Sequence, residues 1–276
     1  MSLRIGENTS RVPFLFGADP EVFLKDAKGG YVSAIGKFSG TKSRPVPVRE
    51  LGKGFAKQVD NVLVEYNIPA VSSKDKWVKA HTSMLTYLRK EAEEKGLLIS
   101  IDASAELPDV ELQDPMALVF GCEPDFDAWN LCVNNPPASL NPNLRSAGGH
   151  IHIGSRLNEV QKINVVRFMD MMIGAWSTLA DPDTKRKELY GRPGAMRFKP
   201  YGVEYRTVSN FWLKTEESLA IAFNLARIAS RYGPNFQSEK YKEKIKSMFY
   251  HDDKDIAKEF LAMQGINDVN VMWKAS

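Results

Sequence analysis

Three short pairs of polar residues carry the types and spacing that could do chemistry: Asp19-Pro20-Glu21, His150-Ile151-His152 and Glu204-Tyr205-Arg206. In a β-strand residues i and i+2 emerge on the same face, so each pair should present both groups side by side. The two imidazoles are half of the four histidines in the chain, and Gly148 and Gly149 lead into them. Two carboxylates on one face repel each other, and a divalent cation between them is the economical remedy. Glu204 beside Arg206 would let one group ligate a cation while the other neutralises a developing anion. Each pair also has an ordinary reading: a solvated strand for the histidines, an acidic edge strand for Asp19 and Glu21, and a surface ion pair for Glu204 and Arg206.

Further groups belong with them. Glu65 sits within an apolar run, where an acid needs a cation or a wet cleft. Arg192, Arg197, Lys199 and Arg206 lie in or beside glycine and proline turns, which present cations to phosphoryl oxygens. Gly121-Cys122-Glu123-Pro124-Asp125 echoes the first acidic pair, and Glu123 and Asp125 read as turn or pocket-wall residues.

The elements that must position these groups follow from periodicity. Val12 to Leu24 reads as one strand of a hairpin that turns at Lys25 to Gly30 and resumes at Tyr31 to Ile35. Residues 36 to 54, rich in glycine, proline and basic side chains, read as a long, solvated loop. Phe55 to Val71 reads as a further strand, with Glu65 on one side and Asp60 on the other. Ser72 or Ser73 caps a helix running to about Lys95, in which His81 is a structural bystander on the apolar stripe. Leu97 to Leu107 alternates as another strand. Asn158 caps a helix of roughly 24 residues whose methionine and aromatic stripe is core, and Thr215 caps one reaching about Tyr232. Two more charged amphipathic helices follow, near 239 to 249 and 255 to 263.

The composition limits the classes available. The chain has 276 residues, 43% of them hydrophobic, ample for a sizeable core. With 37 basic and 34 acidic residues the net charge is +3, too mild to imply a nucleic-acid partner. Cys122 and Cys132 have no metal-site spacing, which suits a reducing, cytoplasmic compartment. No apolar run approaches the roughly 20 residues a membrane helix needs, and Met1 to Arg4 lacks the apolar core of a signal peptide.

Taken together, these segments resemble the glutamine synthetase-like carboxylate-amine ligases, and specifically the phage-type COOH-NH2 ligase, type 2. G-A-D-P-E-V-F-L-K-D is similar to the G-x-E-x-E-F-F-L-F-D strand of glutamine synthetase, S-A-G-G-H-I-H-I-G to its G-S-G-M-H-x-H segment, and V-E-Y-R to its E-F-R strand, in the same order. The resemblance spans roughly residues 13 to 212. It implies an α+β fold, a curved and mainly antiparallel sheet with helices on its outer face, in a single catalytic domain over 1–276 whose portion 213–276 is helical.

For the site, the resemblance implies two or three divalent ions, Mg2+ or alternatively Mn2+, bridging ATP and a carboxylate. Asp19, His150 and Glu204 would form one metal site and Glu21 and Glu65 would belong to a second. His152 and Arg206, with Lys199, would contact ATP phosphates, and Arg192, Arg197 and Arg206 would stabilise phosphoryl transfer. Two departures stand out. Asp19 replaces a glutamate, and the second site lacks an evident third acid, for which Asp60 has the wrong strand parity. The elements that bind ammonium and glutamate are not recognisable, nor is a dodecamer interface, so the resemblance carries over the chemistry and not the substrate.

The activity implied is ATP-dependent ligation of a small-molecule or peptide carboxylate to an amine through an acyl phosphate, in an enzyme that can be an oligomer. The alternatives are a kinase that transfers phosphate without ligation and an inactive binding module.

Overall fold

The structure, a computed structural model, describes residues 14–118, 125–135 and 141–268. Glu123 and Cys122 fall outside them. The chain is α+β and its named strand pairings are all antiparallel, as the sequence implied.

The first expected strand is two. β1 (Leu15–Ala18) and β2 (Glu21–Asp26) separate at Asp19-Pro20, where proline has no N–H to give a ladder, and they enter different sheets. After β3 (Tyr31–Val32), the 36 to 54 stretch holds the short β4 (Val46–Pro47) and a 3-10 turn at Arg49–Leu51. The third expected strand is also two, the hairpin β5 (Ala56–Asp60) and β6 (Leu63–Asn67), which turns at Asn61 in the left-handed region, φ 53°. α1 (Lys74–Glu93) follows; β7 (Leu97–Ser100) and β8 (Ser104–Glu106) divide what the sequence reads as one strand.

Next come α2 (Pro115–Leu118), β9 (Phe126–Asp127), β10 (Cys132–Val133), β11 (Leu144–Ser146) and β12 (Ile151–Gly154). The helix capped by Asn158 is α3 (Glu159–Met169), a π turn at Asp170–Gly174, and α4 (Ala175–Ala180). β13 (Ala195–Lys199) and β14 (Gly202–Tyr205) form a hairpin. α5 (Glu216–Tyr232), opened by a Thr215–Ser218 capping box, α6 (Lys242–Tyr250) and α7 (Lys254–Ala262) complete the described chain.

One sheet has the order β1-β12-β14-β13-β9-β10 and a second β3-β2-β6-β5-β4, with β7 also on β2. They are stitched where the chain crosses between them: Ile68 N–H donates to Ala18 C=O (3.3 Å) and Tyr66 N–H to Pro20 C=O (3.2 Å). Strand alternation separates core from site. Ile151, Ile153, Val203 and Tyr205 are fully buried in the main apolar cluster with Met169, Met172 and Phe223 from the helices, while His152 and Glu204 point the other way.

His81 lies in that core, edge-on to Trp77 and accepting from or donating to the Tyr66 hydroxyl at 2.9 Å. Burial lowers its pKa to about 3, so it is a neutral core residue, as expected of a bystander.

A buried carboxylate ties the frame together. Asp170, in the π turn, accepts hydrogen bonds from Trp129 Nε1 (2.6 Å), Gly194 N–H (2.6 Å) and the Tyr205 hydroxyl (2.8 Å). These three donors stand next to the segments that carry Asp125, Arg197 and the Glu204–Arg206 pair.

Candidate functional site

Strand register sets two rows of polar residues. Gly17, His152, Glu204 and Arg197 lie opposite one another across β1, β12, β14 and β13. Glu21, Glu65 and Gln58 do the same across β2, β6 and β5. Asp19 crosses from one row to the other, because Pro20 breaks the strand between the two acids.

Each row gathers a cluster of cation-ligating atoms within 4.8 Å of one another: Asp19, His152 and Glu204 in the first, and Glu21, Asp60 and Glu65 in the second. Asp60 therefore joins Glu65, against the parity argument. That argument assumed one continuous strand; the turn at Asn61 reverses the chain, and Asp60, two residues from Gln58, returns to the face of Glu65.

The histidine pair converges on the first cluster. His152 Nε2 is 2.9 Å from Asp19 Oδ1, and His150 Nδ1 is 3.4 Å from the same oxygen and 3.9 Å from Glu204 Oε1. His152, rather than His150, is thus the imidazole in the tightest donor set, with His150 between that set and the second cluster. The preceding glycines are required by close approach: a Cβ on Gly148 would stand 2.3 Å from His150 Nε2, and one on Gly149 would stand 2.0 Å from the Ser209 carbonyl. Gly148 N–H also donates to Glu21 Oε2 at 2.6 Å, which joins the histidine strand to the second cluster.

The cations expected at phosphoryl oxygens divide. Lys199 Nζ is 2.6 Å from Glu204 Oε2, and Arg206 pairs with Glu204 Oε1. Glu204 is only 1% exposed, so this is a buried ion pair and not the surface pair of the ordinary reading. Asp125 Oδ1 is ion-paired with Arg206 (2.8 Å to Nε) and Arg197 (3.5 Å to Nε) and lines the inner pocket, which makes it a pocket-wall residue. Burial raises the Tyr250 phenol, and the charge of Arg192 opposes that shift. Arg186 lines the inner pocket instead, holding the carbonyls of Ala147, Thr207 and Arg206 through its guanidinium.

The electrostatics of the two clusters differ. Burial raises the Asp19 carboxyl, but the charges and hydrogen bonds of His152 and His150 outweigh it and hold that acid well below its ordinary range. Burial also opposes ionisation of Glu204, yet the Arg206 guanidinium, with help from the two histidines, lowers its pKa to about 2. In the second cluster burial raises Glu21, aided by Asp60, and lifts Glu65 well above its ordinary value, with Asp19, Glu21 and Asp60 adding to the effect. The donors seen at those two acids are Gln58 Nε2, at 2.8 Å from Glu65, and Gly148 N–H. Buried carboxylates crowded in this way fit a hard divalent cation, and an all-oxygen set suits magnesium or manganese.

Two spaces open on either side of the clusters. A small inner pocket of about 50 Å³ is lined by Glu21, Asp60, Asp125, His150, Arg186 and Arg206 among others. A larger outer cavity of about 770 Å³, mainly apolar, is bordered by Leu15, Gly17, Ile68, His152, Arg156 and Tyr201 among others. Asp60, Asp125, Arg186 and Tyr201 are the site residues that the sequence reading left out or set aside. Asp60 was weighed as the third acid and set aside on strand parity, and the echo of the acid-Pro-acid pattern pointed to Asp125.

No curated protein sequence matches the chain. Among solved structures it is similar to "Apo GmaS without ligand" at 13% identity and TM-score 0.45, covering 96% of this chain and 66% of that one. For "GmaS/ADP complex-Conformation 1" the values are 12%, 0.43, 95% and 67%, and for a "novel glutamine synthase homolog" 13%, 0.33, 95% and 70%. The chain thus spans about two thirds of the length of these proteins. Residues 141–272 match the family described as phage phiEco32-like COOH.NH2 ligase-type 2. That stretch carries His150, His152, Arg197, Lys199, Glu204 and Arg206, and over it the chain matches the family that its three motifs resemble.

Proposed function

We propose that the protein is an ATP-dependent carboxylate-amine ligase that activates its carboxylate as an acyl phosphate. One observation carries the reading: two cation-fitting clusters lie side by side, with a small pocket lined by both arginines and acids at one end and a large, mainly apolar cavity at the other. In this reading the cavity beside His152 takes the nucleotide and the inner pocket takes the carboxylate, so that the phosphoryl group passes between them over the clusters. Asp19, His152 and Glu204, flanked by His150, would hold one divalent cation, and Glu21, Asp60 and Glu65 a second. Such cations, when bound, supply charge neutralisation at the phosphoryl oxygens.

The residues supply position and charge. A carboxylate is a poor acylating agent because oxide is a poor leaving group. Attack of its oxygen on the γ-phosphorus forms an O–P bond as the bond to ADP breaks, and phosphate then becomes the leaving group. The amine nitrogen attacks the acyl carbon, phosphate departs, and the amine gives up a proton. Arg206 and Arg197, held beside Asp125, and Lys199 on Glu204 bring positive charge to the transferred group; catalysis is then mainly positioning and charge stabilisation. We place the reaction in a reducing, cytoplasmic compartment, which suits the exposed free thiol of Cys132.

The test is ADP production from ATP and Mg2+ across a panel of carboxylates with and without amines, alongside Glu21→Gln. ADP release that requires both substrates and is lost in the variant is the expected result. Release without amine would favour a kinase, and an absence of ATP binding by calorimetry would leave only a binding module.

A further inference from the structure

Tyr201 occupies the turn between β13 and β14, and its hydroxyl lies 2.9 Å from His152 Nδ1 while His152 Nε2 reaches Asp19 Oδ1 at the same distance. Both ring nitrogens are therefore engaged, one by a carboxylate of the first cluster and the other by a residue outside it. The two rings lie 5.9 Å apart and are tilted by 33°. Tyr201 is 49% exposed and borders the outer cavity, so little of the fold rests on it. Its neighbour Gly202 must remain glycine, since a Cβ there would stand 1.9 Å from the Ile153 carbonyl; the tight β12–β14 approach fixes where Tyr201 begins.

We propose that Tyr201 is a positioning residue, setting the ring of His152 so that Nε2 faces the first acidic cluster. The inference rests on reading that cluster as a cation site. The hydroxyl is suited to the task because it both donates and accepts. It donates to Nδ1 when Nε2 carries the proton shared with Asp19, and it accepts from Nδ1–H when the Nε2 lone pair is turned to a cation. A partner that could only donate or only accept would hold one of these forms and oppose the other. Partners of this kind, on the far nitrogen of a ligating imidazole, typically contribute about 10- to 100-fold in metal affinity.

The experiment titrates the intact protein with Mn2+ by electron paramagnetic resonance, comparing wild type with Tyr201→Phe and Asp60→Asn, and records 15N spectra of the histidine side chains without metal. Tyr201→Phe keeps the ring and removes only the hydroxyl. The expected result is two classes of site in wild type. Tyr201→Phe weakens one about 10- to 100-fold at an unchanged melting temperature, and Asp60→Asn weakens the other. The His152 Nδ1 resonance moves in Tyr201→Phe while that of His150 stays. A Tyr201→Phe protein with wild-type titration and wild-type 15N spectra overturns the proposal. If wild type binds no Mn2+, the cation reading itself fails; the 15N spectra then decide Tyr201 alone, an unmoved His152 resonance overturning its role.

Discussion

Asp19 and Glu21 stand two residues apart, yet Pro20 sends them to different clusters, and this one break explains why the acids are crowded without sharing a single site. The paired residue types were legible in the sequence because period-two spacing survives in any strand. Which group meets which was not, because a partner is set by pairing across strands far apart in the chain. His152 and His150 both reach Asp19, and only register decides that His152 joins the tightest set. Tyr201 and Arg186 had no signal of their own, being a turn aromatic and one of several basic residues near 185. Arg206 is the residue whose role is most exposed to test. It is buried between Glu204 and Asp125, beside the path proposed for the phosphoryl group. Removing one charge-stabilising contact typically costs about 2.7 to 4 kcal/mol of barrier, so Arg206→Ala should lower turnover about 10²- to 10³-fold with a confirmed substrate pair. Steady-state ADP release checks this, and wild-type turnover would remove Arg206 from the chemistry.

At the scale of elements, helices were the more legible. Asn158 and Thr215 cap their helices through side-chain bonds to the first turn, and their apolar stripes face the core. Strand identity survived but strand continuity did not, since three expected strands are each divided. The most consequential division is at Asn61, whose left-handed backbone no periodicity argument registers. Its side chain also accepts from Val62 N–H at 2.9 Å and from Arg145 Nε at 3.2 Å, and donates to the Ala117 carbonyl at 3.1 Å, so the turn is pinned to α2 and β11. An L residue in this conformation costs about 1 to 2 kcal/mol, from which asparagine and glycine are largely exempt. Asn61→Ala should therefore destabilise the fold by about 1 to 2 kcal/mol in chemical denaturation, and Asn61→Gly by less. An equal loss in both would show that the side-chain bonds, and not the backbone, set the turn.

Across the whole molecule, two antiparallel sheets meet at the Ala18 to Glu21 crossing, and the helices α1, α3 and α5 back them. Periodicity made the separate strands and helices legible, and the α+β class with helices on the outer face was what the resemblance implied. The meeting of the sheets was not, since it depends on Pro20 and on bonds from β6 and Ile68 to the crossing. No described helix is long and apolar enough to cross a membrane. The clusters, the inner pocket and the outer cavity are products of that junction rather than of any one motif. Anomalous diffraction from crystals of the protein soaked in Mn2+ with a non-hydrolysable ATP analogue is the most direct measurement of the central claim. The account predicts one peak among Asp19, His152 and Glu204 and another among Glu21, Asp60 and Glu65. Crystals with the nucleotide bound and no anomalous density at either cluster would contradict it.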